Sequence, residues 1–257
     1  MRHIRLLLQY DGSDYSGWQV QIDKRTVQSL VENALHIVTG ENPRVTGASR
    51  TDAGVHALEQ TASFITGSSL DVDVIRRALN ANLPKDIRII EASECPDDFH
   101  PRYSAESKRY SYLITHSRYS SVFLRRYSWD LSYDLSGALE KMREASYYLK
   151  GEHDFSSFRA SGCGSKTAVR RILNIEVSES SSIDFMTFSI NAPIIKINIK
   201  GNAFLRYMVR NIVGTLVDVG RGRTTPSGIK DILGSKDRGC AGITAPARGL
   251  FLEKVNY

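Results

Sequence analysis

The 257-residue chain lacks any cysteine pair in CxxC spacing: Cys95, Cys163 and Cys240 stand far apart and are odd in number. That excludes a disulfide framework and fits free thiols in a reducing compartment. Six histidines (His3, His36, His56, His100, His116 and His153) form no HExxH or comparable ligand spacing, so no metal site and no cofactor are expected. Long apolar runs are missing as well. The segment MRHIRLLLQYDG offers only three consecutive leucines, far short of the roughly 18 apolar residues a membrane span needs. A soluble cytoplasmic protein with no membrane partner is the expectation. Disorder is excluded by composition, because 41% hydrophobic and 24% charged residues are ordinary for a globular chain.

What the sequence does have is charge in one place. Of 34 Lys/Arg and 28 Asp/Glu, 13 and 7 lie between Pro101 and Arg171, leaving 21 of each elsewhere. The whole basic excess is confined to that band. Such a band suggests a polyanionic partner, with tRNA or another structured RNA the natural candidate; a solvated basic surface is the alternative.

Two halves share a pattern of strands and helices. In the first, RLLLQY reads as a buried strand, and Thr26 caps a helix carrying Val27, Leu30, Val31, Ala34, Leu35 and Val38 that ends at Gly40. A strand near Thr61–Ile65, a helix near Val72–Asn80, a strand near Ile87–Glu91 and the strand Arg109–Thr115 follow. In the second, Asp134 caps a helix that Gly151 ends, strands are expected at 172–177, 185–190 and 194–199, and a helix spans about Phe204–Val219. Thr225-Pro226 begins another helix, LFLEKVN closes the chain as a strand, and SESSSIDFMTFSINAP contains a serine-rich turn between strands. The expected class is α+β: two subdomains, 1–116 and 117–257, each a mainly antiparallel mixed sheet with helices on one face (ferredoxin/RNP-like), with the active-site cleft between them. The boundary is expected near Ser117–Ser132.

One loop invites a chemical reading. GASRTDAGVHALEQ, Gly47–Gln60, sets Asp52 two residues after Arg50 and two before Gly54. Glycine permits a bend that presents the carboxylate, and a nearby guanidinium favours its ionised form. Paired-carboxylate chemistry would need a second acid about 5 to 10 Å away, and the nearest in sequence is Glu59. A carboxylate working alone is the better reading. The competing one is a surface turn in which Asp52 caps backbone amides and pairs with Arg50.

Taken in order, YDGSDYSGWQVQ, TVQSLVENAL, GASRTDAGVHA, NANLP, DDFHPRYSA, KRYSYLI, GEHDFSSFRASGC, AFLRYMVRNIVGTLVDVGRG and TAPARGLFLEKVNY span the chain from end to end. Together they resemble the bacterial tRNA pseudouridine synthase A family, whose members isomerise uridine to pseudouridine in the anticodon stem-loop (tRNA positions 38 to 40). The resemblance implies roles for particular residues. Asp52 matches the catalytic nucleophile, which adds to uracil C6 or attacks ribose C1′. Arg50 matches an arginine associated with flipping the target base. Tyr110 matches the tyrosine that stacks on that base; by strand alternation alone it shares a core face with Tyr112 and Ile114. Arg210, on the MVRNIVG helix with Arg206 and Gly214 at four-residue steps, matches the substrate-site arginine that pairs with Asp52 across the cleft.

RNA contact is implied for Phe99, His100, Pro101, Arg102 and Tyr103, and for Ala160, Ser161, Gly162, Cys163 and Gly164, with Lys166, Arg170 and Arg171 as phosphate partners. One departure from the family pattern occurs at Gly164, where many members carry glutamine. Cys163 reads as a small filler, and the GWQ at 17–19 is open between tryptophan packing and a contact. The resemblance further implies a homodimer in which one tRNA touches both subunits. An RNA-binding protein without catalysis would be marked by loss of Asp52, Tyr110 or Arg210; all three are present. A paralogue acting on other RNA sites would keep them.

Overall fold

The computed structural model describes residues 1–117, 121–135, 137–185 and 187–257. In chain order the elements are β1 (Arg2–Tyr10), α1 (Val27–Thr39), β2 (Thr46–Gly47), β3 (His56–Thr66), α2 (Val72–Asn82), β4 (Ile87–Glu94), β5 (Ser107–His116), β6 (Trp129–Leu131), α3 (Leu139–Tyr147), β7 (Gly151–Asp154), β8 (Val169–Phe185), β9 (Phe188–Gly201), α4 (Met208–Gly220), α5 (Gly228–Ser235) and β10 (Leu250–Asn256). The class is α+β with mostly antiparallel strands, as the sequence suggests.

Packing divides the chain into two compact units, Met1–Lys108 with Phe251–Tyr257, and Arg109–Leu250. The division therefore falls inside β5, earlier than the boundary expected at 116/117, and the last seven residues return to the first unit. The reason is strand pairing. Phe251 and Leu252 lie beside His56 and Ala57 in parallel register, a long-range contact no local pattern announces.

In the first unit the strand order is β4-β1-β3-β10, with β2 alongside β3. β1 pairs antiparallel with both neighbours. Ile4, Leu6, Leu8 and Tyr10 alternate inward along β1, as period two demands, and α1 and α2 contribute Val31, Leu35, Ile75 and Leu79 to the core. Thr26 caps α1: its hydroxyl accepts the Ser29 N–H at 3.3 Å, and the Ser29 hydroxyl reaches back to the Thr26 N–H. Gly40, at φ 72°, ends it.

In the second unit the order is β5-β9-β8-β7, with β6 parallel to β5. Three local expectations need correction here. Asp134 does not cap α3, which begins at Leu139 after Ala138 without a side-chain cap; Gly137, at φ 79°, is left-handed and keeps the helix from starting earlier. Asp134 instead places Oδ1 3.3 Å from His116 Nδ1.

The three short strands are two long ones. β8 and β9 form a hairpin whose last pair, Phe185 and Phe188, lies within the SESSSIDFMTFSINAP stretch; its serines belong to the strand, with Ser178, Glu179 and Ser180 facing Lys196, Ile195 and Ile194 across the ladder. Backbone pairing keeps a polar strand extended when its side chains face water, and register shifts between Ile172 and Asn174 and between Ser180 and Ser182 absorb the local mismatches. Lastly, α4 starts at Met208 rather than Phe204, because Tyr207 adopts φ 63°. Arg206 thus precedes the helix instead of sharing its stripe with Arg210.

Candidate active site and RNA-contact segments

The Asp52 loop is held from beneath by buried groups of its own unit. Gln60, fully buried on β3, grips Ser49 at two points: its amide nitrogen donates to the Ser49 carbonyl at 2.7 Å and its oxygen accepts the Ser49 N–H at 3.1 Å. Tyr10 OH and Thr51 Oγ1 lie 2.7 Å apart, and the Trp18 N–H donates to the Thr51 carbonyl at 3.0 Å. Lys108 Nζ donates to the Ala48 carbonyl at 2.5 Å. Each bond fixes main chain or an adjacent side chain, so the half-buried Asp52 is carried on a backbone that other residues have already placed.

Close packing completes the support. A Cβ on Gly12 would lie 1.9 Å from the Val55 carbonyl oxygen, and one on Gly47 2.5 Å from the Trp18 ring. Trp18 is therefore a packing residue beneath this loop. Gly54, at φ 79°, makes the bend after Asp52, and the Val55 N–H closes that turn on the Asp52 carbonyl at 3.1 Å. Arg50 is exposed and forms no ion pair among the described residues, leaving its guanidinium on the surface of the loop.

His56 has a shaping role. Its buried Nδ1 accepts the Gly12 N–H at 3.1 Å, and its ring stacks on Phe251 at 4.7 Å. The same nitrogen lies 3.1 Å from Asp11 Oδ1. The Gly12 bond uses the nitrogen lone pair, whereas an Asp11 bond requires a proton there, so the two belong to different placements of the ring proton.

Lys108 is the least expected member. Only 6% exposed, its ammonium is pushed down to about 8 by desolvation, with the Arg102 charge adding to the effect. It opens the KRYSYLI stretch at the start of β5, but nothing in that stretch announces a buried ammonium bonded to the Asp52 loop. Gln60 and Tyr10 were equally silent, since each meets the loop across 11 or 41 residues of chain.

The structure separates the residues of 99–103, the first segment expected to contact RNA. Arg102 and Tyr103 are exposed, Tyr103 by 76%, with the Arg102 guanidinium 5.8 Å from the Tyr103 ring. His100 Nδ1 accepts the backbone N–H groups of Arg102 and Tyr103 and so shapes their turn. Phe99 and Pro101 face inward instead: Phe99 packs on Tyr257 at 5.2 Å and near His3, and the Pro101 carbonyl accepts the Tyr257 hydroxyl at 2.8 Å.

Tyr110 and Arg210 belong to the second unit. Tyr110 is 7% exposed and meets Phe204 edge to face at 5.1 Å. Its neighbour Tyr112 donates its hydroxyl to the Pro246 carbonyl, and burial raises that phenol far above its usual range. Arg210 donates Nε to the Ala245 carbonyl at 2.7 Å. The expected close approach at Gly214 is present, since a Cβ there would sit 1.8 Å from the Ile243 carbonyl oxygen.

In the second RNA segment, Ala160 donates its N–H to the Arg206 carbonyl at 3.1 Å, Ser161, Gly162 and Gly164 are exposed, and Gly162 takes φ 70°. A Cβ on Gly164 would meet nothing within 4 Å. Burial pushes the Cys163 thiol up, but hydrogen bonds from the Arg206 and Ser165 backbone and the Ser165 hydroxyl, with the Arg159 charge, bring it below its ordinary value. Lys166 and Arg171 are exposed, while Arg170 folds back, donating to the Thr167 and Val169 carbonyls. Among the described residues no cluster of three or more His, Cys, Asp or Glu is placed to hold a metal, and no helix is long and apolar enough to cross a membrane.

Comparison with known proteins matches residues 7–104 and 145–257 to a family model described as tRNA pseudouridine synthase. Proteins named tRNA pseudouridine synthase A from Thermoanaerobacter sp. (strain X514), Acetivibrio thermocellus and Geotalea uraniireducens are 43%, 45% and 42% identical to this chain, each over the full length of both sequences. With a carboxylate on a pinned glycine turn and a family match over most of its length, the chain belongs to the tRNA pseudouridine synthases.

Proposed function

We propose that this protein isomerises uridine to pseudouridine in the anticodon arm of tRNA, with Asp52 as nucleophile. The observation that carries the reading is the Asp52 loop, whose backbone is fixed by buried Gln60, Tyr10 and Lys108 while the carboxylate and the exposed Arg50 stand at its turn. Nucleophilic catalysis on a sugar–base bond needs such preorganisation, because a misplaced carboxylate forfeits the proximity term.

The chemistry balances without a cofactor. The bond between N1 and C1′ breaks, the base turns, and a bond between C5 and C1′ forms; C5 releases its hydrogen as a proton and N1 gains one. Asp52 attacks either C6 or C1′ and is regenerated at the end. The target base must leave the helix first, at a cost of about a few kcal/mol, and Arg50 is the residue that takes its place. Tyr110 and Arg210 bind the flipped nucleotide.

Phosphate contact falls to exposed Arg102, Lys166 and Arg171, with Tyr103 available for stacking. His100 and the 160–164 loop complete the RNA surface, and Phe99 and Pro101 act by holding the Arg102 turn. The working form is a cytoplasmic homodimer on one tRNA. The test is tritium release from transcripts labelled at uridine C5 and carrying a uridine at only one of the three anticodon-arm positions. Release from at least one transcript is expected; none from any would overturn the reading.

A further inference from the structure

Tyr207 occupies left-handed backbone, at φ 63° and ψ 1°, one residue before α4. A residue with a Cβ pays for that conformation in close contact with its own carbonyl, and a tyrosine has no short polar side chain to compensate locally. Asn or Gly would fill the position at lower cost. Strain of this kind persists where the surroundings over-determine it, and it concentrates at functional sites.

The surroundings here are two guanidinium groups. The Arg206 Cζ lies 5.0 Å from the Tyr207 ring centroid and the Arg210 Cζ 4.7 Å, both within cation–π range. The turn itself is locked, since Met208 donates its N–H to the Leu205 carbonyl at 3.1 Å and Asn211 donates to the Tyr207 carbonyl at 2.9 Å. Arg210 Nε is held at the same time by the Ala245 carbonyl. A ring on one side and a carbonyl on the other leave the long arginine side chain few rotamers. The planar guanidinium is thus oriented before any ligand arrives.

We propose that Tyr207 is a positioning residue, whose ring is set by the left-handed turn so that it orients the Arg210 guanidinium for the target nucleotide. The proposal rests on the reading of Arg210 as a substrate-binding residue given above. Through Arg206, whose carbonyl accepts the Ala160 N–H, the same turn also anchors one end of the 160–164 loop.

The experiment is tritium release with saturating and limiting tRNA, alongside thermal unfolding, for Tyr207→Asn, Tyr207→Phe, Arg210→Ala and Tyr207→Asn/Arg210→Ala. Asparagine tolerates the left-handed turn, so Tyr207→Asn is expected to unfold at or above the wild-type temperature. Its kcat is expected to fall about fivefold to tenfold, the size of a half-buried cation–π contact, with KM for tRNA within about twofold. Tyr207→Phe recovers most of the loss, and the double variant is no slower than Arg210→Ala alone. Wild-type kcat in Tyr207→Asn beside an impaired Arg210→Ala overturns the proposal, as do independent, multiplying losses in the double variant. A fall in kcat accompanied by a lowered unfolding temperature in Tyr207→Asn assigns a structural role and also overturns it. Wild-type turnover by Arg210→Ala overturns the reading of Arg210 itself, and the proposal with it.

Discussion

The Asp52 loop and the Ala160–Gly164 loop are both short, polar and bent by a glycine at positive φ, yet they are held in opposite ways. Around Asp52, Gln60 on β3 and Lys108 at the start of β5 bond to the loop backbone, Tyr10 on β1 bonds to the Thr51 hydroxyl, and the glycines at 12 and 47 let neighbours press against it. In the 160–164 loop the bonds are with Arg206 and Ser165, at Ala160 and at the Cys163 thiol, and Gly164 faces open space. The proposed roles fit that difference: a group that attacks one carbon atom needs buried side chains around it, whereas a surface that fits an RNA backbone can be held at fewer points.

The comparison can be broken most severely at Gly12. Alanine there drives a Cβ to 1.9 Å from the Val55 carbonyl oxygen, so the loop has to move. Gly12→Ala should cost about 3 kcal/mol of stability, seen as a lowered unfolding temperature, and should reduce kcat by more than tenfold. A pH-dependent effect of similar size belongs to Lys108. Its folded-state value of about 8 lies below the unfolded value, so between those two the unfolded chain binds the extra proton and stability rises with pH. Denaturant titrations from pH 7.5 to 10.5 should show wild type gaining on the order of 3 kcal/mol relative to Lys108→Met. A flat difference would contradict the buried charge.

Smaller effects are expected at the RNA surface. Arg102→Ala should weaken tRNA binding several-fold across different tRNAs and lower the salt slope by about one, with little change in kcat. Gly164→Ala should be smallest: with no atom within 4 Å of the new methyl group, stability and tRNA affinity stay within about twofold of wild type. A large loss there would show that this loop, too, is tightly held.

Much of this was readable in the chain. Thr26 and Gly40 bracketed α1 because capping is local chemistry, and the Gly54 bend followed from the same kind of reasoning. The start of α3 was missed because Gly137 overrode an apolar pattern that looked continuous from Leu135. The strands of the hairpin were read too short because the serine-rich 178–182 stretch, paired through its backbone, carries no hydrophobic alternation to read. Asp52 could be singled out, but Gln60, Tyr10 and Lys108 could not, since their task depends on contacts between distant positions. Family motifs marked Phe99 and Pro101 together with Arg102; only the fold shows that the first two face inward.

The central claim is that Asp52 attacks the target uridine from a loop whose shape does not depend on it. It is tested most directly by measuring tritium release and tRNA affinity together for wild type and Asp52→Asn. The account predicts no release from the variant above background, with affinity for the same tRNA within about threefold of wild type. Equal release from the variant would remove Asp52 as nucleophile, and loss of tRNA binding would make the loop a structural turn.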